Sequence, residues 1–177
     1  MHMKKSVRII IVFLACFLAC HLSFADNSDS SRATLKGISV LVVVIEDLKP
    51  EIEHQGLTTQ TILDDTQNRL QSGGVNVLDT KVPEMAKKRG ADWLKQGGPF
   101  LHIRPRILKK DSGKYAYNIS TELCQSIVLE REKKIQMGGG VTWSTHSFGT
   151  TAEMKDIRSK IMELVDRFLT DYKAVNE

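Results

Sequence analysis

The stretch YAYNISTELCQSIVLE, residues 115–130, decides how the chain is read. Successive side chains of an extended strand point to opposite sides, so Tyr115, Tyr117, Ile119, Thr121, Leu123, Gln125, Ile127 and Leu129 share one face. Asn118, Ser120, Glu122, Cys124, Ser126 and Glu130 share the other. One face is packed and the other largely wet, as in an antiparallel sheet covered on one side. Just upstream, Phe100 to Leu108 alternates in the same way, with Leu101, Ile103 and Ile107 opposed to His102, Arg104 and Arg106. Pro105 lacks an amide donor and marks an edge or a bulge there. Lys110-Asp111-Ser112-Gly113 joins the two strands as a tight turn with glycine at the left-handed position. Downstream, a charged turn and Gly138-Gly139-Gly140 lead to a return strand over Val141 to Phe148. Thr150 and Glu153 have capping-box spacing, and Met154, Ile157, Ile161, Leu164, Val165, Phe168 and Tyr172 fall on one stripe of a long final helix.

Before this hairpin the pattern changes. Leu35 to Leu48 carries an almost unbroken apolar run from Ile38 to Ile45, which predicts a strand buried on both faces and central in its sheet. Lys49-Pro50 stops it. Thr58 and Thr59 can cap a helix bearing Ile62, Leu63, Thr66 and Leu70, ended by Gly73-Gly74, and Val75 to Leu78 reads as a short strand beyond a right-handed crossover. Pro83 to Gly98 fits either a helix or a strand starting near Gly90. The fold class expected is α+β: a mixed sheet of about five strands, a C-terminal antiparallel meander, and helices on one face including the long C-terminal one. Residues 35–177 are expected to form a single domain, without repeats or linkers.

Charge and cysteine are unevenly placed. The chain has 177 residues, a formal net charge of +4 and three cysteines, yet Lys4, Lys5, Arg8, Cys16 and Cys20 all precede residue 26. Those three basic residues lead an apolar run from Ile9 to Leu22, followed by Ser23, Phe24 and Ala25, the pattern of a signal peptide over residues 1–25 cleaved after Ala25. The run is shorter than the roughly 20 residues that cross a bilayer as a helix. An alternative is a lipoprotein acylated at Cys20, since Phe17-Leu18-Ala19-Cys20 resembles a lipobox. Residues 26–34 are polar and serine-rich and are expected to be a disordered leader. The exported chain would be near-neutral with Cys124 as its one thiol. That excludes a disulfide scaffold and removes net charge as a reason to bind nucleic acid.

Candidate sites are few. By alternation His102, Cys124 and His146 lie on polar strand faces. A register placing Cys124 opposite His146, with His102 beside Ser120 or Glu122, would assemble a zinc or copper site with Glu122 as a fourth ligand. Against it stands the plain reading of isolated polar side chains on a wet face. Gln125 lies on the apolar side, where a buried amide needs partners, so it either satisfies backbone groups at a helix end or contacts a ligand in a cleft. Lys87, Lys88, Arg89, Arg104, Arg106, Lys109, Lys110 and Lys114 make a basic patch suited to anionic lipid, or serve as charges that discourage strand pairing. Gly138-Gly139-Gly140 precedes a strand rather than a helix and is hairpin slack, not a phosphate loop. Nucleophile-elbow and zinc-protease motifs are missing, no cofactor is expected, and the protein is read as a non-enzyme.

The order of elements resembles the small α/β domain shared by the N-terminal part of the Tol translocation protein, the curli-secretion lipoprotein and the lipoprotein activators of peptidoglycan synthases. Four features carry the resemblance: the first strand Ile38 to Glu46, the helix ending in Leu70-Gln71-Ser72-Gly73-Gly74-Val75, the segment Arg89 to Leu94, and the closing strands with their helix. The return strand with Thr142-Trp143 and the helix with Val165 to Leu169 are similar to those of exported bacterial proteins of unknown function. The first resemblance implies a periplasmic, non-catalytic domain that docks to an envelope protein partner or to itself. The metal or redox reading of Cys124, His102 and His146 is the alternative function.

Overall fold

The computed structural model describes residues 28–78, 93 and 96–177. The expected signal peptide, Lys87, Lys88, Arg89 and most of the uncertain segment after Pro83 lie outside the described residues. Helix α1 spans Asp29–Ala33, strand β1 Val42–Ile45, helix α2 Pro50–Glu53 and helix α3 Thr59–Ser72. They are followed by β2 (Phe100–Lys109), β3 (Tyr115–Leu129), β4 (Glu132–Thr151) and α4 (Met154–Asn176).

Among the described residues the strands form one mixed sheet in the order β1-β2-β3-β4, four strands where about five were expected. The strand expected at Val75 to Leu78 contributes a single parallel bridge, Leu41 to Val77. β1 pairs in parallel with β2, through Val42 opposite Phe100 to Ile45 opposite Ile103, and has no second strand on its other side among the described residues. It is therefore an edge strand and not the central one its apolar run suggested. Burial of that run comes from its flanks: Leu35, Ile38, Leu41 and Leu48 all enter the core from outside the strand.

β2 and β3 pair antiparallel around the predicted turn, where Gly113 takes φ 78° and its N–H donates to the Lys110 carbonyl at 2.9 Å. A left-handed φ at that point is what makes glycine the fitting residue. β3 and β4 pair antiparallel and regularly from Tyr115 opposite Thr151 to Leu123 opposite Trp143. Beyond that point the register breaks three times.

One face of the sheet is covered by helices. Leu101, Ile103, Ile119, Leu123 and Trp143 meet Ile157, Ile161, Leu164, Val165 and Phe168 of α4, and Ile62 and Leu70 of α3, in one buried cluster. This is the predicted stripe, and burying each such side chain contributes about 1.5–3 kcal/mol before chain entropy is subtracted. Across the outer surfaces of α3 and α4, Arg158 makes a two-point contact with Asp65 at 2.6 and 2.9 Å, and Arg69 pairs with Asp166 at 2.6 Å. The predicted capping box at Thr150 and Glu153 does not form. Thr151 sits at the α4 entry instead, its Oγ1 accepting from the Glu153 N–H at 3.2 Å and donating to Asp156 at 2.5 Å.

Within the stretch 26–34, expected to be a disordered leader, the described residues 28–34 hold the short helix α1. Ser28 caps α1 through the Ser31 N–H, and Arg32 reaches Asp171 of α4 at 3.2 Å. Leu35, fully buried just beyond, pins the segment to the core.

Candidate functional site

The registers lay out the second face of the sheet rung by rung, since directly paired residues point to the same side. At one end Phe100, Cys124 and Val141 stand in a row; next come Val44, His102, Glu122 and Ser144. Arg104, Ser120 and His146 make the third row, Arg106, Asn118 and Phe148 the fourth, and Leu108, Ala116 and Thr150 the last. No described helix covers this face. It is closed at the first end, where Val42, Cys124 and Glu122 are 3%, 4% and 6% exposed, and open at the other, where Phe148 is 83% exposed.

The expected metal constellation is not assembled. Cys124 stands opposite Val141, while His146 stands opposite Ser120, two rungs away. His102 falls beside Glu122, one of the two places expected. No group of three or more His, Cys, Asp or Glu side chains among the described residues is placed to hold a metal ion. The regular β3–β4 register from Tyr115 to Leu123 already fixes His146 on Ser120, and the bulge beyond Leu123 only moves Cys124 from Thr142 to Val141.

Glu122 has a different partner. Arg104, diagonal to it across the β2–β3 ladder, donates from Nη2 to its Oε2. The carboxylate side chain is 8% exposed and the guanidinium 31%. A closed-in carboxylate needs such compensation. The pair then acts on its neighbours. Burial and the adjacent Arg104 cation hold His102 below the ordinary histidine value, partly opposed by Glu122 and Glu46. Burial and the Glu122 charge push the Cys124 thiol above its ordinary value, so it is a poor nucleophile.

Gln125 is used structurally. Its Nε2 donates to the Thr34 carbonyl at 3.2 Å and to Thr142 Oγ1 at 2.9 Å, so it satisfies the C-cap residue of α1, as the helix-end reading expected. Arg106 is exposed and forms no ion pair with a described residue.

Sequence reasoning missed the outer edge of β4. Trp143 to Thr151 is regularly paired on its inner side with β3 and has no strand on its outer side among the described residues. Along its beginning runs a groove of about 490 Å³ lined by Ser28, Ser31, Thr142, Trp143 and Arg167 among others. The signal was available: from Ile135 to Ala152 the sequence has no Asp, Glu, Lys or Arg.

Fold and face together define a small α+β domain with one helix-packed and one open sheet surface. No family model matches the chain, and no curated protein matches it. Among solved structures it is similar to a dodecamer of a PelC point variant from Paraburkholderia phytofirmans, at 18% identity and TM-score 0.42, covering 77% of this chain and 88% of that one. It is also similar to a minor lipoprotein from Acinetobacter baumannii, at 8% identity and TM-score 0.28, covering 75% and 87%. Likeness at this level transfers no residue and no role to this chain. No helix among the described residues is long and apolar enough to cross a membrane.

Proposed function

We propose that this chain is an exported, non-catalytic assembly module of the bacterial envelope that works by protein contact, taking an extended strand of a partner protein onto the outer edge of β4. The observation that carries this is the edge itself. A free strand edge is a row of unpaired N–H and C=O groups, and proteins blunt such edges with charges, proline, bulges or a covering element. From Trp143 to Thr151 β4 has no charged residue, no proline and no register break, and no strand pairs with its outer side among the described residues. Backbone pairing there would supply affinity and the exposed Phe148 an anchor, as in strand addition generally. Export rests on the Lys4 to Ala25 pattern, and a partner in that compartment follows from it. The same chain qualifies as partner, because two such edges meet without opposed like charges.

The test is photo-crosslinking in intact cells from an unnatural side chain placed at Phe148, at Thr150 and, as a control on the outer surface of α4, at Ser159. Adducts to protein at Phe148 and Thr150 are expected, and Phe148→Lys with Thr150→Lys should abolish assembly while leaving the circular dichroism unchanged. Adducts at Ser159 alone, or none at any position, would overturn the reading.

A further inference from the structure

We infer that the open face also carries a site for an oxyanion, a carboxylate or phosphoryl group, bound by Arg104, Arg106, Asn118, Ser120 and His146. These side chains and Glu122 line a depression of about 180 Å³. The register explains why they converge. Arg104 stands opposite Ser120 and Ser120 opposite His146, with Arg106 and Asn118 one rung down. Residues two apart on a strand are about 6.7 Å apart and neighbouring strands about 4.8 Å, so a tetrahedral or planar anion spans both guanidinium groups and the hydroxyl between them.

Two observations point to a ligand rather than to a merely polar surface. The Nε–H of Arg104 is buried and has no hydrogen-bond partner among the described residues. An unmet buried donor costs about 1–3 kcal/mol, so an acceptor at this position would remove a standing penalty. Arg106, Asn118, Ser120 and His146 meanwhile form no side-chain hydrogen bond or ion pair with a described residue, leaving a cation, an amide, a hydroxyl and an imidazole facing one small volume. Glu122 lines the same depression and would repel an anion, but Arg104 already neutralises it through the Nη2–Oε2 contact. The net charge left for a ligand is that of Arg106, which fits one singly presented anionic group. Selectivity for an oxyanion over a halide comes from the several donors held in fixed directions.

This site stands apart from strand addition at β4, and either can fail alone. The experiment is an amide chemical-shift titration of the mature protein at constant ionic strength, with inorganic phosphate, sodium acetate and sodium chloride as separate arms. Saturable millimolar shifts confined to residues 104–106, 118–120 and 144–146 are expected with phosphate, acetate or both. The arm that saturates at lower concentration identifies the phosphoryl or the carboxylate source. Arg106→Gln should weaken binding at least about tenfold, the loss of one charge-assisted contact, without changing crosslinking at Phe148. Lys133→Gln, on the remote hairpin, should leave it unchanged. Equal shifts with chloride, shifts centred on Lys109, Lys110, Lys133 and Lys134, or an undiminished response in Arg106→Gln would each overturn the proposal.

Discussion

Replacing Trp143 by phenylalanine tests how β4 is held to the rest of the domain. Trp143 is 1% exposed, its ring meets Phe168 edge-on at 5.3 Å, and its Nε1–H donates to Asp171 Oδ2 at 2.8 Å. The other oxygen of Asp171 faces Arg32 at 3.2 Å, so one indole links β4, α4 and α1. Trp143→Phe removes a hydrogen bond to a charged acceptor, worth about 1.5–3 kcal/mol, and leaves a void costing on the order of 1 kcal/mol. Asp171 keeps Arg32 and some contact with water, which places the total near the lower end, about 2–3 kcal/mol. Asp171→Asn retains an acceptor and should cost only about 1 kcal/mol. Because both changes act on the same Trp143–Asp171 contact, the double variant should fall short of their sum, by up to about 1 kcal/mol. Urea unfolding followed by circular dichroism at pH 7 measures all three, with an unchanged slope as the sign that only stability moved. A Trp143→Phe stability within about 0.5 kcal/mol of the parent, or strict additivity, refutes the indole as the tie.

Three other outcomes are expected. Cys124, buried and with its thiol pKa raised, should react with a disulfide reagent far more slowly in the native protein than in denaturant, and Cys124→Ser should cost about 1 kcal/mol without altering assembly. At Gly140 an added Cβ would stand 2.6 Å from Ile127 Cδ1, whereas at Gly138 it meets nothing within 4 Å. Gly140→Ala should therefore destabilise by about 1–3 kcal/mol in urea titrations while Gly138→Ala is near neutral. His102 has a folded pKa below its ordinary 6.5, so as pH falls through that value the unfolded chain binds the proton first. Stability should be flat above about pH 7.5 and decline from about pH 6.5 towards the lower folded value, and His102→Gln should remove that part of the decline in unfolding measured across pH.

What can be read in the chain and what cannot divides at the two hairpins. The β2–β3 turn is legible at Lys110 to Gly113, and a tight turn fixes its ladder by counting outward: Lys109 meets Tyr115, and so His102 must meet Glu122 and Arg104 must meet Ser120. The Arg104–Glu122 diagonal is thus within reach of the sequence. The β3–β4 ladder is not. β4 runs from Trp143 back to Glu132 while β3 advances only from Leu123 to Leu129, because extra residues are accommodated at each register break. Counting fails across bulges, and the glycine run that permits them carries no side-chain alternation to correct the count. The register that would pair Cys124 with His146 differs from the one formed even within the regular stretch, where Ser120 meets His146. The β1 error has another source: its apolar run is long enough for a central strand, but only four residues pair, and the rest reach the core as loop.

The two edges of the sheet then explain why contact is expected on one side only. β1 is protected by brevity, and its beginning is occupied as well, since the Leu41 N–H donates to the Asn76 carbonyl at 3.1 Å and the Leu78 N–H to the Leu41 carbonyl at 2.9 Å. On β4 the distal half carries Lys133 and Lys134 and three register breaks, the devices that natural edges use against unwanted pairing. At Thr142 the edge is covered by α1, whose C-cap Thr34 donates from Oγ1 to the Thr142 carbonyl at 3.4 Å. Protection therefore ends where regular pairing with β3 begins, at Trp143, the residue most firmly tied to the helices behind the sheet. An edge that is regularly paired behind, free of charge and proline, and without a strand on its outer side among the described residues has properties a strand-accepting surface requires, and loosening Trp143 should weaken crosslinking at Phe148 in step with the loss of stability.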